Sequence, residues 1–321
     1  MLQYIKDKLF ETPIFYTQIA FIIYLFQYEL FTLHFTMYQC INLKVNMHIF
    51  EKIDILASDA FIDKFAKKYI EQRSKAYFDI DQIDNGIMFN ASGFNASLLA
   101  GIIKKNAVAH DFDREKGKSP QILRDIYRSD LGELLMTYYF EEKINKVPRY
   151  IIPLKNISFR ERADLPGRGL DAIGYRIEKD SINVLLGEAK VSSDKKSPPP
   201  VVDKTKDSIY ETHKKHNKNL EFVIARLTDY CRRLGSSDAE MIGIVILSMI
   251  YNKTESYSIT FGSTLIRDFS CANEISDFGK MKSNSNAFLP NKIHFSILSF
   301  SDREIEEAVN LFYGKVQEII K

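Results

Sequence analysis

An α/β fold is what the 321-residue sequence predicts: a central mixed β-sheet flanked by helices, with a mainly helical region ahead of it. Three observations predict it. Runs of β-formers recur at residues 150–154, 241–251, 256–265 and 292–299, separated by stretches of helical period. Residues 169–175 and 184–191 are two further apolar runs around the polar, turn-like Glu178-Lys179-Asp180-Ser181, the pattern of an antiparallel hairpin. The chain is 45% hydrophobic, ample for a core.

Composition narrows the function classes. A net charge of +2 excludes a global polycation, so any nucleic-acid contact must use local patches. Cys40, Cys231 and Cys271 are odd in number, widely spaced and without a CxxC pair. This argues against a disulfide scaffold or a zinc ribbon and suits a reducing cytosol.

Residues 1–46 stand apart, with Phe and Tyr making up about a quarter of them and about a tenth of the remaining chain. A signal peptide would need a short apolar core ending in a small-residue cleavage site, which is lacking. A transmembrane span between Ile14 and Met37 is interrupted by Gln18, Gln27 and Glu29, and its clean run over residues 19–26 falls far below the roughly 20 apolar residues a span needs. The favoured expectation is a start assigned too far upstream, with AT-rich codons translated into an aromatic-rich leader and Met47 or Met37 as the true beginning. No membrane association is expected.

Residues 47–118 are expected to form a helical subdomain. Ser58 suits an N-cap, with Phe61, Ile62, Phe65 and Tyr69 on one stripe. Turn signals at Asp84-Asn85-Gly86 and Ser92-Gly93 precede the short apolar run 98–103. Gly117-Lys118-Ser119 is not a phosphate-cradling loop, because Phe112 stands where that loop needs glycine. No nucleotide cofactor is therefore expected in this chain.

Residues 119–321 form the second module. Ser119-Pro120 opens a helix over 120–143, with Ile122, Ile126, Phe140 and Ile144 on one stripe. Glu133 shares that stripe, so it must be paired or bind something, and a salt bridge and a site role stand equal. Arg160, Arg162 and Arg168 flank Asp164 just before Asp171. Arg168, three residues from Asp171, is the candidate phosphate contact.

The hairpin carries the chemistry. A turn between Lys179 and Asp180 sets Ile177 opposite Ile182, Tyr175 opposite Val184, Ile173 opposite Leu186 and Asp171 opposite Glu188. Alternation puts all four pairs on one face. Three are apolar and belong in a core. The fourth places two carboxylates roughly 5 Å apart, which is destabilising without a positive charge between them. Lys190 points to the same side, about 6–7 Å further along. Two acids and a lysine at the end of a buried sheet suit Mg²⁺, or Mn²⁺, together with a phosphate, since such a cation takes oxygen ligands and often one or two carboxylates. A fortuitous ion cluster is the competing reading.

A stiff loop with Lys195, Lys196 and three prolines comes next, then a helix over 204–234 whose polar opening holds Lys206, His213, Lys214, Lys215, His216 and Lys218. Eight lysines oppose four acids between Lys190 and Lys218. That surplus suits DNA backbone contact, with Lys195 and Lys196 as candidates, although a solvated face fits nearly as well. His213 and His216 share a helix face without a third ligand, so a basic face is expected and not a metal site. Residues 273–286 are a polar loop, and Ser301-Asp302 caps a closing helix over 303–320.

The order of helix, strand, acidic hairpin, helix and strand resembles the PD-(D/E)xK restriction-endonuclease-like nucleases over roughly residues 119–251. More narrowly, Arg128-Ser129-Asp130-Leu131-Gly132-Glu133, Gly167-Arg168-Gly169-Leu170-Asp171 and Leu186-Gly187-Glu188-Ala189-Lys190 resemble the HamA family of Hachiman anti-phage defence. Leu170 departs from the proline of the superfamily pattern. The narrower resemblance runs from residue 47 to the end. It implies a restriction-endonuclease-like core and a Mg²⁺-dependent deoxyribonuclease of the bacterial cytoplasm, acting on DNA with a HamB-type helicase partner. It further implies that Asp171 and Glu188 hold the metal, Glu133 completes or orients its shell, and Lys190 positions or activates the attacking water. Two rivals remain: a restriction enzyme with its own sequence specificity, and a non-catalytic DNA-binding subunit.

Overall fold

A computed structural model of the chain describes residues 40–45, 48–75, 86, 91–93, 95–108, 121–142, 149–159 and 169–321. Its centre is a seven-stranded sheet. The strands are β1 (Cys40–Val45), β2 (His48–Ile55), β3 (Ile151–Lys155), β4 (Ala172–Glu178), β5 (Ser181–Ser192), β6 (Tyr257–Asp268) and β7 (Lys292–Phe300). Their spatial order is β1-β2-β7-β6-β5-β4-β3. The four central strands β2, β7, β6 and β5 run parallel, and antiparallel pairs close both edges. The expected mixed sheet flanked by helices is present.

Helices cover both faces. On one lie α1 (Asp59–Arg73), α2 (Ala96–Ala107), α3 (Gln121–Glu141) and a closing helix; on the other lie α4 (Ile209–Lys218), α5 (Leu220–Cys231) and α6 (Ser236–Ile250). The closing helix, α7, spans Ile305–Ile320. Two cores result. Phe65, Tyr69, Tyr139, Phe312 and Tyr313 belong to the first; Val184, Leu186, Val223, Leu227 and Phe261 belong to the second. The parallel strands are buried on both faces, which is why they read as continuous apolar runs.

The hairpin register stands as deduced: Ile177 opposite Ile182, Tyr175 opposite Val184 and Ile173 opposite Leu186. Ile177 is nonetheless exposed at the hairpin tip, beyond the reach of the covering helices. Ser58 caps α1, its Oγ accepting from Phe61 N at 3.3 Å.

Several elements differ from the sequence expectations. The N-terminal region contributes strands as well as helices. β2 is buried along most of its length and pairs with β7, while β1, inside the stretch that composition sets apart, pairs with β2. Residues 241–251, expected as a strand, belong to helix α6 up to Ile250. That run is apolar throughout and carries no usable period, whereas the Ser-Ser-Asp-Ala-Glu before it is a helix opening. The helix expected over 204–234 is broken. After the short helix Pro200–Asp203, α4 and α5 are separated at Asn219, which accepts from Phe222 N at 2.9 Å and caps α5. The closing helix begins at Ile305 under a Glu304–Glu307 capping box. Asp302 instead accepts from Ala57 N at 2.8 Å, tying the chain to the end of β2.

α3 is not a one-faced helix. Residues 130–140 are buried all round, because the helix lies between the sheet and a layer made of α1 and α7. Gly132 permits this approach: a Cβ there would stand 2.6 Å from Val191 Cγ2 on β5. Among the described residues, no helix is long and apolar enough to cross a membrane. The leader's residues 1–39, the Gly117-Lys118-Ser119 segment and Arg160, Arg162 and Arg168 lie outside the described residues.

Candidate active site

β4 begins at Ala172, so β5 outruns its neighbour past Gly187. Asp171 N donates to Gly187 O at 3.1 Å, and Ala189 N donates to Asp171 Oδ2 at 2.7 Å. The carboxylate thus replaces the ladder carbonyl that would come next, which fixes it beside Glu188. On the same face of β5, Lys190 Nζ lies 2.8 Å from Glu188 Oε1. Asp171, Glu188 and Lys190 are therefore brought together, as their alternation predicts.

The electrostatics of this group are set by burial and by the two neighbouring acids. Burial pushes the Glu188 carboxyl up, the Asp171 charge adds to the rise, and Lys190 only partly opposes it, leaving the pKa at about 8. Burial pulls Lys190 down, but Glu188 and Asp171 outweigh it and hold the ammonium above its ordinary value. Two carboxylates side by side in a low-dielectric place favour one of them holding a proton until a cation displaces it. A hard divalent cation, held through one or two carboxylates with water completing its shell, fits that donor set. Among the described residues no group of three His, Cys, Asp or Glu comes together to hold a metal. The fit is thus to a two-carboxylate site.

Glu133 is placed differently from the other three. It is buried on α3, with Ser129 Oγ 3.5 Å from its Oε1, and α3 packs on Val191, which points to the face opposite Glu188. The charges acting on Glu188 are those of Asp171, Lys190 and Asp207. Asp207, in the turn before α4, carries no signal of this in the sequence. A short acid ahead of Ser208, which caps α4, looks like ordinary helix-start chemistry.

Lys195 and Lys196 are exposed on the loop after β5. That loop is anchored by Arg267, fully buried at the end of β6. Its guanidinium donates to Ser192 O at 3.1 Å, Asp194 O at 2.5 Å, Lys196 O at 3.1 Å and Cys271 O at 3.0 Å, and it pairs with Asp277 at 3.1 Å. All five donors of the fork are aimed at the loop and its neighbours. An arginine ending an apolar strand was the available signal.

The histidines do not join a basic face. His213 is fully buried against Phe261, ring centroids 5.2 Å apart, and burial pushes its pKa down to about 3. His216 is buried too, its Nδ1 2.7 Å from Thr212 O. Both stay neutral at pH 7 and serve as packing, while Lys215 and Lys218 face solvent.

The HamA family model matches residues 28–316. The chain belongs to the HamA family. It is accordingly a protein of Hachiman anti-phage defence. The HamA match starts upstream of Met37 and Met47, so the family pattern reaches into the stretch expected as a leader. It also covers Asp171, Glu188 and Lys190 in one span. Curated proteins and solved structures return no match.

Proposed function

We propose that this HamA protein is a metal-dependent deoxyribonuclease, hydrolysing DNA phosphodiesters as the effector of its defence system alongside a HamB-type helicase partner in the bacterial cytoplasm. One observation carries the reading. Asp171, Glu188 and Lys190 converge where β5 outruns β4, two carboxylates side by side with a lysine directed into them. Paired carboxylates beside a lysine suit a site that a cation and a phosphate share.

In hydrolysis, water adds to phosphorus, one ester P–O bond breaks, a proton leaves the water and the departing oxygen takes one up. A bound Mg²⁺ or Mn²⁺ would polarise the phosphoryl oxygen and acidify water. Asp171 and Glu188 would hold that cation through oxygen. The backbone bond from Ala189 N fixes the Asp171 carboxylate before any ligand arrives, so little reorganisation is needed. Lys190, kept charged by its neighbours, would donate to the attacking water or to the phosphoryl oxygens as charge builds there. Glu133 comes from the other face of the sheet and is not given a role in this step. Any ATP-driven control would fall to the partner protein.

Incubation of the purified chain with supercoiled plasmid in Mg²⁺, with and without EDTA, tests the proposal. Cleavage that EDTA abolishes is expected. Intact plasmid in Mg²⁺ and in Mn²⁺, with and without the helicase partner, would reject the nuclease in favour of a DNA-binding subunit.

A further inference from the structure

The cleft beside Asp171 has a second wall. Asn156, Gly169 and Asp171 line one side, and α5 with the turn after it supplies Arg226, Asp229 and Arg233 on the other. Tyr230, on the same helix, donates its hydroxyl hydrogen to Ile173 O and so fixes α5 against β4.

Arg226 packs between Gly169 and Phe222. At Gly169 φ is +95°, so glycine suits the backbone there, and a Cβ would stand 3.1 Å from Arg226 Nη1. On α5 itself the guanidinium carbon lies 5.0 Å from the Phe222 ring centroid. Lys215 Nζ lies 4.5 Å from that ring. Asp229 pairs with Arg233 at 2.9 Å. Among the described residues, Arg226 makes no hydrogen bond or ion pair. It is half-buried, packed on a glycine backbone and an aromatic ring, and its donors are uncommitted beside the acids of the site. Stacking occupies the faces of a guanidinium and leaves the N–H edge for a bidentate acceptor. Phosphate is the acceptor that an acidic cleaving site brings next to it.

We propose that Arg226, with Lys215 behind it on the same ring, binds a backbone phosphate of duplex DNA adjacent to the one held at Asp171 and Glu188. The inference rests on the nuclease reading of that site and adds a substrate-positioning residue to it.

The test is binding of fluorescein-labelled duplex DNA to the full chain in EDTA, where no cleavage occurs, across a series of salt concentrations. Arg226→Gln preserves length over Gly169 and removes the charge; Arg226→Lys keeps charge without the fork; Lys315→Ala removes a half-buried cation paired with Glu318 on α7, on the opposite face of the sheet. Arg226→Gln is expected to bind roughly tenfold or more weakly. The slope of log K against log salt should become shallower by about 0.9, the share of one phosphate. Arg226→Lys should recover the slope but only part of the affinity, and Lys315→Ala should match the parent. Parental affinity and slope in Arg226→Gln, or an equal loss in Lys315→Ala, overturns the proposal. If the parent binds through Arg226 but never cuts in Mg²⁺, the nuclease reading fails and this one stands. If Arg226→Gln cuts at parental KM with parental slope, only this one fails.

Discussion

The sheet carries an acid–base cluster on each face, and they are built on opposite principles. On the face covered by α1, α3 and α7, Glu51 of β2 meets His294 of β7 at 2.7 Å, and Tyr139 of α3 lies 2.5 Å from His294 Nε2 while donating to Glu51. One acid faces one imidazole and one phenol, all of them buried. On the other face Asp171, Glu188 and Lys190 set two acids against one base, and Lys190 reaches solvent with its side chain 25% exposed. The first cluster is closed to solvent, and its hydrogen bonds tie three elements together. The second reaches solvent and sets two carboxylates side by side, an arrangement that a cation would stabilise. Burial of a charge does not separate structure from function here. The pairing of two acids at an edge that reaches solvent does.

The sharpest way to break this comparison is to neutralise one of the paired acids. Asp171→Asn or Glu188→Gln should abolish plasmid cleavage and also the rise in thermal stability that Mg²⁺ confers on the parent by linkage. Without metal, both variants should be at least as stable as the parent, because a repulsion has been removed. Loss of folding in either would make the open cluster as structural as the closed one.

The closed cluster should respond in the reverse sense. Glu51→Ala leaves His294 and Tyr139 without their shared acceptor in a sealed place, and should cost about 3 kcal/mol or more of stability, with no dependence on Mg²⁺. Denaturant unfolding with and without the metal reads both. An Mg²⁺-dependent difference would show the two faces to be coupled.

Lys190→Ala separates holding from chemistry. It removes the cation directed at the acids but keeps both carboxylates, so Mg²⁺-dependent stabilisation should survive while cleavage falls by roughly 10²–10³. Parental cleavage would reduce Lys190 to a counter-charge, and the nuclease assignment to this hairpin would be withdrawn.

Legibility in the sequence tracks the range of the interactions involved. The hairpin register, and with it the meeting of Asp171, Glu188 and Lys190, comes from one turn and a period of two, so it was legible. The Ser58 cap and the strands β6 and β7 were legible for the same local reason. The surroundings of Glu133 were not legible, because α3 is not the one-faced helix its stripe suggests; its middle is buried on every side. The strand expectation for 241–251 failed on an apolar run without period. Its helix leaves Leu247 and Ile250 exposed, with Tyr251 exposed at its end. Arg226 and Asp207 could not be found, since each acts on a segment that only the tertiary fold brings to it, and Arg267 offered only its place at the end of an apolar strand.

The smallest expected effect is also the most specific to the open cluster. Glu188 is shifted from 4.5 up to about 8, chiefly by burial and then by Asp171. A carboxyl whose folded pKa lies above its unfolded value binds more protons when folded, so it contributes stability in full below the unfolded pKa and loses it as pH rises through the folded one. In EDTA, the parent should therefore lose stability relative to Glu188→Gln between about pH 4.5 and 8, by a Tm difference of a few degrees. Taking the difference between the two proteins cancels the titration of every other carboxylate. Mg²⁺ should flatten the curve, because a cation between the acids stabilises the charged form and competes with the proton. Glu51→Gln provides the control: across the same pH range its difference from the parent should not respond to Mg²⁺. A parent and Glu188→Gln that run parallel from pH 4.5 to 8 in EDTA would mean that Lys190 keeps Glu188 charged and that the paired acids hold no proton for a metal to displace.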